Sequence, residues 1–148
     1  MENNQNLRRV LYLDDTRTPT ETLPNAHPWE VVRNYDEFVN WIETNQRLPD
    51  FITFDHDLGQ EHMDDYFKQI VEKGYQHPSY ENYKEKTGLD CAMYVVSFCE
   101  KNNVLFPKCC VHSHNPVGAV NIQSYINGFK KHTGQEEDCY LGRFPFTT

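Results

Sequence analysis

Three short apolar runs in this chain each end in ionisable side chains. Val10-Leu11-Tyr12-Leu13 runs into Asp14-Asp15, Phe51-Ile52-Thr53-Phe54 into Asp55-His56-Asp57, and Cys109-Cys110-Val111 into His112-Ser113-His114-Asn115. Carboxylates brought together in this way repel one another and push each other's pKa upward. A divalent ion among them removes that repulsion, and hard oxygen ligands suit such an ion. Histidine beside the acids adds a side chain that titrates near neutrality, as general acid or base chemistry requires.

The elements that must position these groups are buried parallel strands. An apolar run of four or so residues that stops at polar residues has the form of a strand covered on both faces, with its site at the carboxyl end. In an open α/β sheet those ends share one edge, and ligands bind there at the point where the strand order reverses. The first strand spans Arg8 to Leu13. The link Thr16 to Pro28 holds Pro19, Pro24 and Pro28, too much proline for a crossover helix, and predicts an extended loop over the site that returns to a second strand near Trp29 to Arg33. A helix capped by Asn34, with Glu37 three residues on, carries Phe38, Trp41 and Ile42 on one face. Thr87 and Asp90 form a second capping signal, ahead of a helix from Leu89 to Glu100. Asn115-Pro116 opens a third helix that ends before Gly134, and its amino terminus faces the crevice, where its unpaired amides suit an anion such as phosphate. Between the central strand and the second helix lies a polar, tyrosine-rich stretch at about 60–86. It is expected to form a flap, with a short helix near Asp64 to Lys73, or else a surface insertion. The tail from Cys139 to Phe146 supplies a fifth strand or packs as an arm.

Composition bounds the function. At 148 residues the chain is expected to be a single domain spanning 1–148. A formal net charge of -8 argues against a large nonspecific nucleic-acid surface, while a small phosphorylated ligand neutralised by a metal remains compatible. Neither a signal peptide nor a membrane anchor is read in it, so a cytoplasmic protein is expected, in the host cytoplasm if phage-encoded. The five cysteines are odd in number and form no CxxC pair, and they read as reduced core residues.

Pro49 to Asp55 resembles the third strand of response-regulator receiver domains, Asp14-Asp15 their acidic pair, and Thr87-Gly88-Leu89-Asp90 the start of their next helix. A narrower set is similar to the cyclic-phosphate-processing receiver-like family of phage and bacterial genomes. It comprises Leu13-Asp14-Asp15-Thr16-Arg17, Phe54-Asp55-His56-Asp57-Leu58-Gly59, Thr87-Gly88 and His112-Ser113-His114-Asn115-Pro116-Val117-Gly118, in order from about Leu11 to Ile126. The resemblance implies a receiver (flavodoxin/CheY-like) three-layer α/β sandwich with a parallel sheet ordered 2-1-3-4. A signalling receiver needs a hydroxyl residue at the end of its fourth strand and a lysine ending its fifth. Here His112 takes the first place and no such lysine is visible, so phosphorelay signalling is not expected.

The same resemblance implies a site. Asp14, Asp15 and Asp55 look like the pocket that holds Mg²⁺ in receivers, with Mn²⁺ as the other candidate, although aspartates also cap turns after strands. His112 is the candidate general acid or base, beside Asp55 and Asp57. By strand alternation Asp55 and Asp57 share a face while His56 turns away toward backbone. Arg17 and the amides after Ser113 would hold phosphate oxygens, with His56, Thr87, His114, Asn115 and Gly118 completing the candidate substrate-binding set. The expected reaction is opening of a cyclic phosphate at an RNA end or in a cyclic nucleotide, with Asp55 as nucleophile an alternative in the same site. The pairs Asp55/Asp57 and His112/His114 equally permit a mixed site for manganese, iron or zinc. Tyr75, Tyr80 and Tyr83 either stack on a base or are surface residues. Two other classes compete with the phosphoesterase: a binding protein that sequesters a cyclic nucleotide signal, of the phage anti-defence type, and a degenerate receiver serving as an interaction module.

Overall fold

Among the described residues the apolar runs form one parallel sheet of five strands. In the computed structural model, which describes residues 7–19, 26–58 and 86–142, these are β1 (Val10–Leu13), β2 (Glu30–Val32), β3 (Phe51–Phe54), β4 (Lys108–Val111) and β5 (Tyr140–Leu141), in the order β2-β1-β3-β4-β5. The helices are α1 (Tyr35–Asn45), α2 (Gly88–Asn102) and α3 (Pro116–His132). This is the receiver-like α/β fold with the 2-1-3-4 order, and the tail supplies its fifth strand. The first two strands are shorter than the expected Arg8 to Leu13 and Trp29 to Arg33. Arg8 instead makes an isolated bridge to Ala26.

Chain direction decides where the helices lie. The crossovers through α1, α2 and α3 all step the same way across the sheet, and right-handed crossovers of that kind stack their helices on one face. Leu11, Leu13, Ile52, Phe54, Cys109 and Val111 point to that face. There they form one buried cluster with Phe38 and Ile42 of α1, Cys91 and Val95 of α2, and Ile122 and Ile126 of α3. Only the link from β1 to β2 steps the other way. Its described parts, before Thr20 and after Asn25, hold no helix, as its prolines dictate. The opposite face therefore carries no helix among the described residues, which supply two of the three expected layers.

The caps sit where local chemistry puts them. Asn34 Oδ1 accepts from the Glu37 amide at 2.8 Å, the Thr87 amide donates to Asp90 Oδ2 at 2.8 Å, and Asn115 Oδ1 accepts from the Gly118 amide at 2.9 Å. β5 is short and exposed, and side chains of α3 hold its approach: Asn127 Oδ1 accepts from the Cys139 amide, Gln123 Nε2 donates to the Cys139 carbonyl, and the buried Lys130 Nζ donates to the Glu137 carbonyl. All five cysteines are buried and outside any disulfide. No helix among the described residues is long and apolar enough to cross a membrane. The expected flap at about 60–86, its helix near Asp64 to Lys73, Gly59 and the three tyrosines lie outside the described residues, Lys86 excepted.

Candidate functional site

Register brings the site together. Tyr12 pairs with Thr53, and Thr53 with Cys110, so these side chains form one row across the helix-free face. Two residues further along each strand direction stand Asp14, Asp55 and His112, which alternation returns to the same face. Backbone bonds fix this second row: the Asp55 amide donates to the Leu13 carbonyl at 3.1 Å and the His112 amide to the Phe54 carbonyl at 2.9 Å. The donor atoms of Asp14, Asp55 and His112 all lie within 4.8 Å of one another.

Asp14 is fully buried, and its two oxygens have different tasks. Oδ1 accepts from the Thr16 and Arg17 amides at 2.9 and 2.7 Å, closing the turn after β1. Oδ2 meets His112 Nε2 at 2.9 Å and Arg17 Nε at 2.7 Å. Burial pushes this carboxyl up, but the His112 bond, the Arg17 and Thr16 amides and the Arg17 guanidinium outweigh it and hold it well below the usual carboxylate range. Asp55 moves the opposite way. Burial and the neighbouring Asp14 charge raise it, against His112, Arg17 and the His56 amide. Arg17 spans the two acids, with its Nη2 3.5 Å from Asp55 Oδ2.

His112 is held from three sides. Its Nδ1 lies 2.6 Å from Thr53 Oγ1, its Nε2 faces Asp14, and its ring stacks on Tyr12 at 4.6 Å with 12° between planes. An ionised Asp14 only accepts, so Nε2 carries a proton; Nδ1 then accepts from the Thr53 hydroxyl in the neutral ring and donates to its oxygen in the imidazolium. The Thr53 oxygen accepts in turn from the Cys110 thiol at 3.1 Å. Every donor in this chain, from Cys110 to Asp14, has an acceptor.

The other expected site residues fall around this centre. Asp15 stands outside the three-residue cluster, its carboxyl raised by burial and by Asp14. Asp57 also stands outside it, because β3 ends at Phe54 and strand alternation lapses after Asp55. Its Oδ1 takes His56 Nδ1 at 2.9 Å and its Oδ2 lies 3.4 Å from Asn115 Nδ2. His56 is buried against the first turn of α3, where Gly118 leaves room for its ring. Thr87 bonds Asp90 within its own helix cap. Ser113, whose Oγ accepts from the Asn115 amide, and the exposed His114 line a cavity of about 640 Å³ that also touches Tyr12, Arg17, Trp29, Thr53 and His112.

Four contributors went unread in the sequence. Tyr12 and Thr53 lie two residues before Asp14 and Asp55, and a threonine inside an apolar strand was the signal available. Trp29 meets Tyr12 edge-on. Arg33 donates to the Asp14 and Arg17 carbonyls at 3.2 and 2.7 Å and so holds the turn that carries Arg17. Nothing local in the sequence marks that contact, since it depends on how the β1–β2 link returns.

Two carboxylates and an imidazole are a donor set that fits a divalent cation. Asp14 Oδ2 and His112 Nε2 stand 2.9 Å apart as hydrogen-bond partners, and an ion held by both would take the place of that proton. Fold and site together define a receiver-like α/β domain whose strand ends carry acids and histidine without the signalling hydroxyl and lysine. The chain belongs to the cyclic-phosphate processing receiver domain family, whose model matches residues 9–128. No curated protein and no solved structure matches it.

Proposed function

We propose that this protein is a metal-dependent phosphoesterase that opens cyclic phosphates, at 2′,3′-cyclic RNA ends or in cyclic nucleotides. The observation that carries this reading is the gathering of Asp14, Asp55 and His112 within 4.8 Å at the strand ends, in a domain of the cyclic-phosphate family. Asp14 and Asp55 are the ligand pair for Mg²⁺ or Mn²⁺, and the imidazole beside them suits manganese or zinc as well. Such an ion, when bound, supplies a water acidic enough to attack at neutral pH and a positive charge on the phosphoryl oxygens.

The chain's own residues do the rest. Arg17, half-exposed beside both acids, swings to the phosphate as a bidentate donor. Ser113, whose Oγ already accepts from the Asn115 amide, lines the cavity with a hydroxyl free to donate to another phosphate oxygen. Thr53 and Tyr12 hold the His112 ring; as the imidazolium, with Nδ1–H donating to Thr53 Oγ1, it gives its Nε2 proton to the departing ribose oxygen and is left as the neutral imidazole.

The test incubates the protein with Mg²⁺, Mn²⁺ or Zn²⁺ and a panel of 2′,3′-cyclic and 3′,5′-cyclic nucleotides, cyclic oligonucleotides and cyclic-phosphate-ended RNA, separating products by chromatography. Turnover lost in Asp55→Asn and His112→Ala supports the reading. Unchanged metal affinity in His112→Ala marks His112 as the proton donor, and lost affinity marks it as a ligand. One observation favours sequestration instead: Arg17 already spans Asp14 and Asp55 with a built-in cation that offsets part of their charge. A ligand that binds and is recovered intact after denaturation selects that second reading.

A further inference from the structure

The cavity beside the acids is larger than phosphate chemistry needs. At about 640 Å³ it lies within the range of roughly 300–1,000 Å³ typical of sites for whole small molecules. Arg17, Thr53, His112, Ser113 and His114 line its polar part, beside the acids, with Thr18 next to Arg17, whereas Tyr12, Trp29, Val120 and Leu141 wall the remainder.

An aromatic row connects the two parts. The His112 ring lies nearly parallel to Tyr12 at 4.6 Å, and Tyr12 meets Trp29 edge-on at 5.7 Å and 73°. Tyr12 stands on the sheet face that carries no helix among the described residues, and Trp29 just before β2. Val120 on α3 and Leu141 on β5 are 47% and 49% exposed, two large apolar side chains from separate elements turned to one space. Apolar surface gathered beside a polar centre marks a binding site more often than idle surface.

We infer that this apolar part of the cavity is a nucleobase subsite, so that the ligand is a nucleoside cyclic phosphate held by its base as well as by its phosphate. The inference rests on the reading of Asp14, Asp55, Arg17 and His112 as the cyclic-phosphate end. A base is the occupant that matches both parts: it is planar, it offers a π-face to aromatic walls, and it arrives joined through ribose to the anion that Arg17 attracts. The walls offer few polar side chains for reading a base edge, so stacking dominates and adenine, guanine, cytosine and uracil are accepted alike.

The experiment is calorimetric titration of wild type, Trp29→Leu and Trp29→Phe in EDTA. The ligands are adenosine 2′,3′-cyclic phosphate and methyl riboside 2′,3′-cyclic phosphate, which has the same ring and no base. Far-ultraviolet circular dichroism checks that each variant is folded. Wild type should bind the nucleotide about ten-fold or more tighter than the base-free ring. Trp29→Leu should remove that difference and Trp29→Phe should keep most of it, each read as the ratio of the two affinities within one variant. Equal affinity of wild type for both ligands, equal losses for both in Trp29→Leu, or no nucleotide binding at millimolar concentration each overturn the subsite. Turnover with Mn²⁺ separates the two readings. A nucleotide bound through Trp29 but recovered intact refutes the hydrolase and leaves the subsite standing, whereas equally fast opening of both ligands refutes the subsite alone.

Discussion

Two glycines of one helix should respond to alanine with opposite signs. A methyl group on Gly118 would lie 2.4 Å from His56 Cγ, 2.7 Å from Cδ2 and 2.8 Å from Nδ1. Ordinary contact begins at 3.4 Å, so the ring must retreat from 2.4 to 3.4 Å, by about 1 Å. His56 is only 7% exposed and its Nδ1 is bonded to Asp57 at 2.9 Å, so that retreat strains packing and breaks the bond. Overpacking costs about 1–3 kcal/mol and the lost hydrogen bond about 1 kcal/mol, offset by up to about 1 kcal/mol of better helix propensity. The net loss is roughly 1–3 kcal/mol, a fall in Tm of roughly 3–12 °C for a chain of this size. At Gly128 an added Cβ meets nothing within 4 Å, so Gly128→Ala should gain about 0.5–1 kcal/mol from propensity alone. Thermal unfolding followed by circular dichroism reads both. Because Asp57 also contacts Asn115, ligand binding should weaken in Gly118→Ala and stay unchanged in Gly128→Ala. If Gly118→Ala is as stable as Gly128→Ala, the placement of His56 against α3 is wrong.

Other perturbations test the charge and the hydrogen-bond chain. Asp55→Asn should raise Tm at pH 7 while abolishing turnover, since a carboxyl raised by burial and by Asp14 is a penalty when ionised. The sign follows from linkage: for an acid whose folded pKa is raised, the stabilisation is present below the unfolded value near 3.8 and lost as pH rises through the folded value, so the gain from asparagine should vanish toward pH 4. A gain that is equal at pH 4 and pH 7 would exclude this cause. Thr53→Val, which keeps the shape and removes the hydroxyl from His112 Nδ1 and from the Cys110 thiol, should cost about 1–3 kcal/mol in thermal unfolding. It should also displace the alkaline limb of the pH–rate profile, which the proton donor His112 would set, a change that a packing defect alone would not produce. Arg33→Met should slow turnover and weaken phosphate binding with only a small loss of Tm, because its bonds hold the partly buried turn that carries Arg17 and not the apolar core.

What the sequence made legible was whatever short-range rules control. Asn34, Thr87 with Asp90, and Asn115-Pro116 act within one helical turn of themselves, and the helices begin where they stand. The strand ends at Asp14, Asp55 and His112 were readable because an apolar run stops there, and the parallel order then forces them to one edge. Asp57 was misplaced by extending alternation beyond Phe54, where the Asp55 carboxylate accepts the His56 amide and the chain turns. β5 was undecided for a different reason. Tyr140 and Leu141 are exposed and carry no strand pattern of their own, and side chains of α3 hold the residue before them. Arg33 reaches across sixteen residues to the Arg17 carbonyl, a contact set by the course of a loop rather than by any motif.

Charge balance links these pieces to chemistry. Asp14 and Asp55 bring two carboxylates to an edge where Arg17 is the cation that touches both. A cyclic phosphate diester is itself an anion, and the group best placed to receive it is the same guanidinium. Arg17 cannot serve the ligand without loosening its hold on the acids, and the more loosely held of the two is Asp55, at 3.5 Å against 2.7 Å for Asp14. The charge left on Asp55 must then be met by a second cation or by a proton. A divalent ion answers it in the phosphoesterase, and protonation of the already raised carboxyl answers it in a protein that only captures its ligand. The two readings of this fold therefore differ in one physical respect, which is what neutralises Asp55 when Arg17 turns to the phosphate.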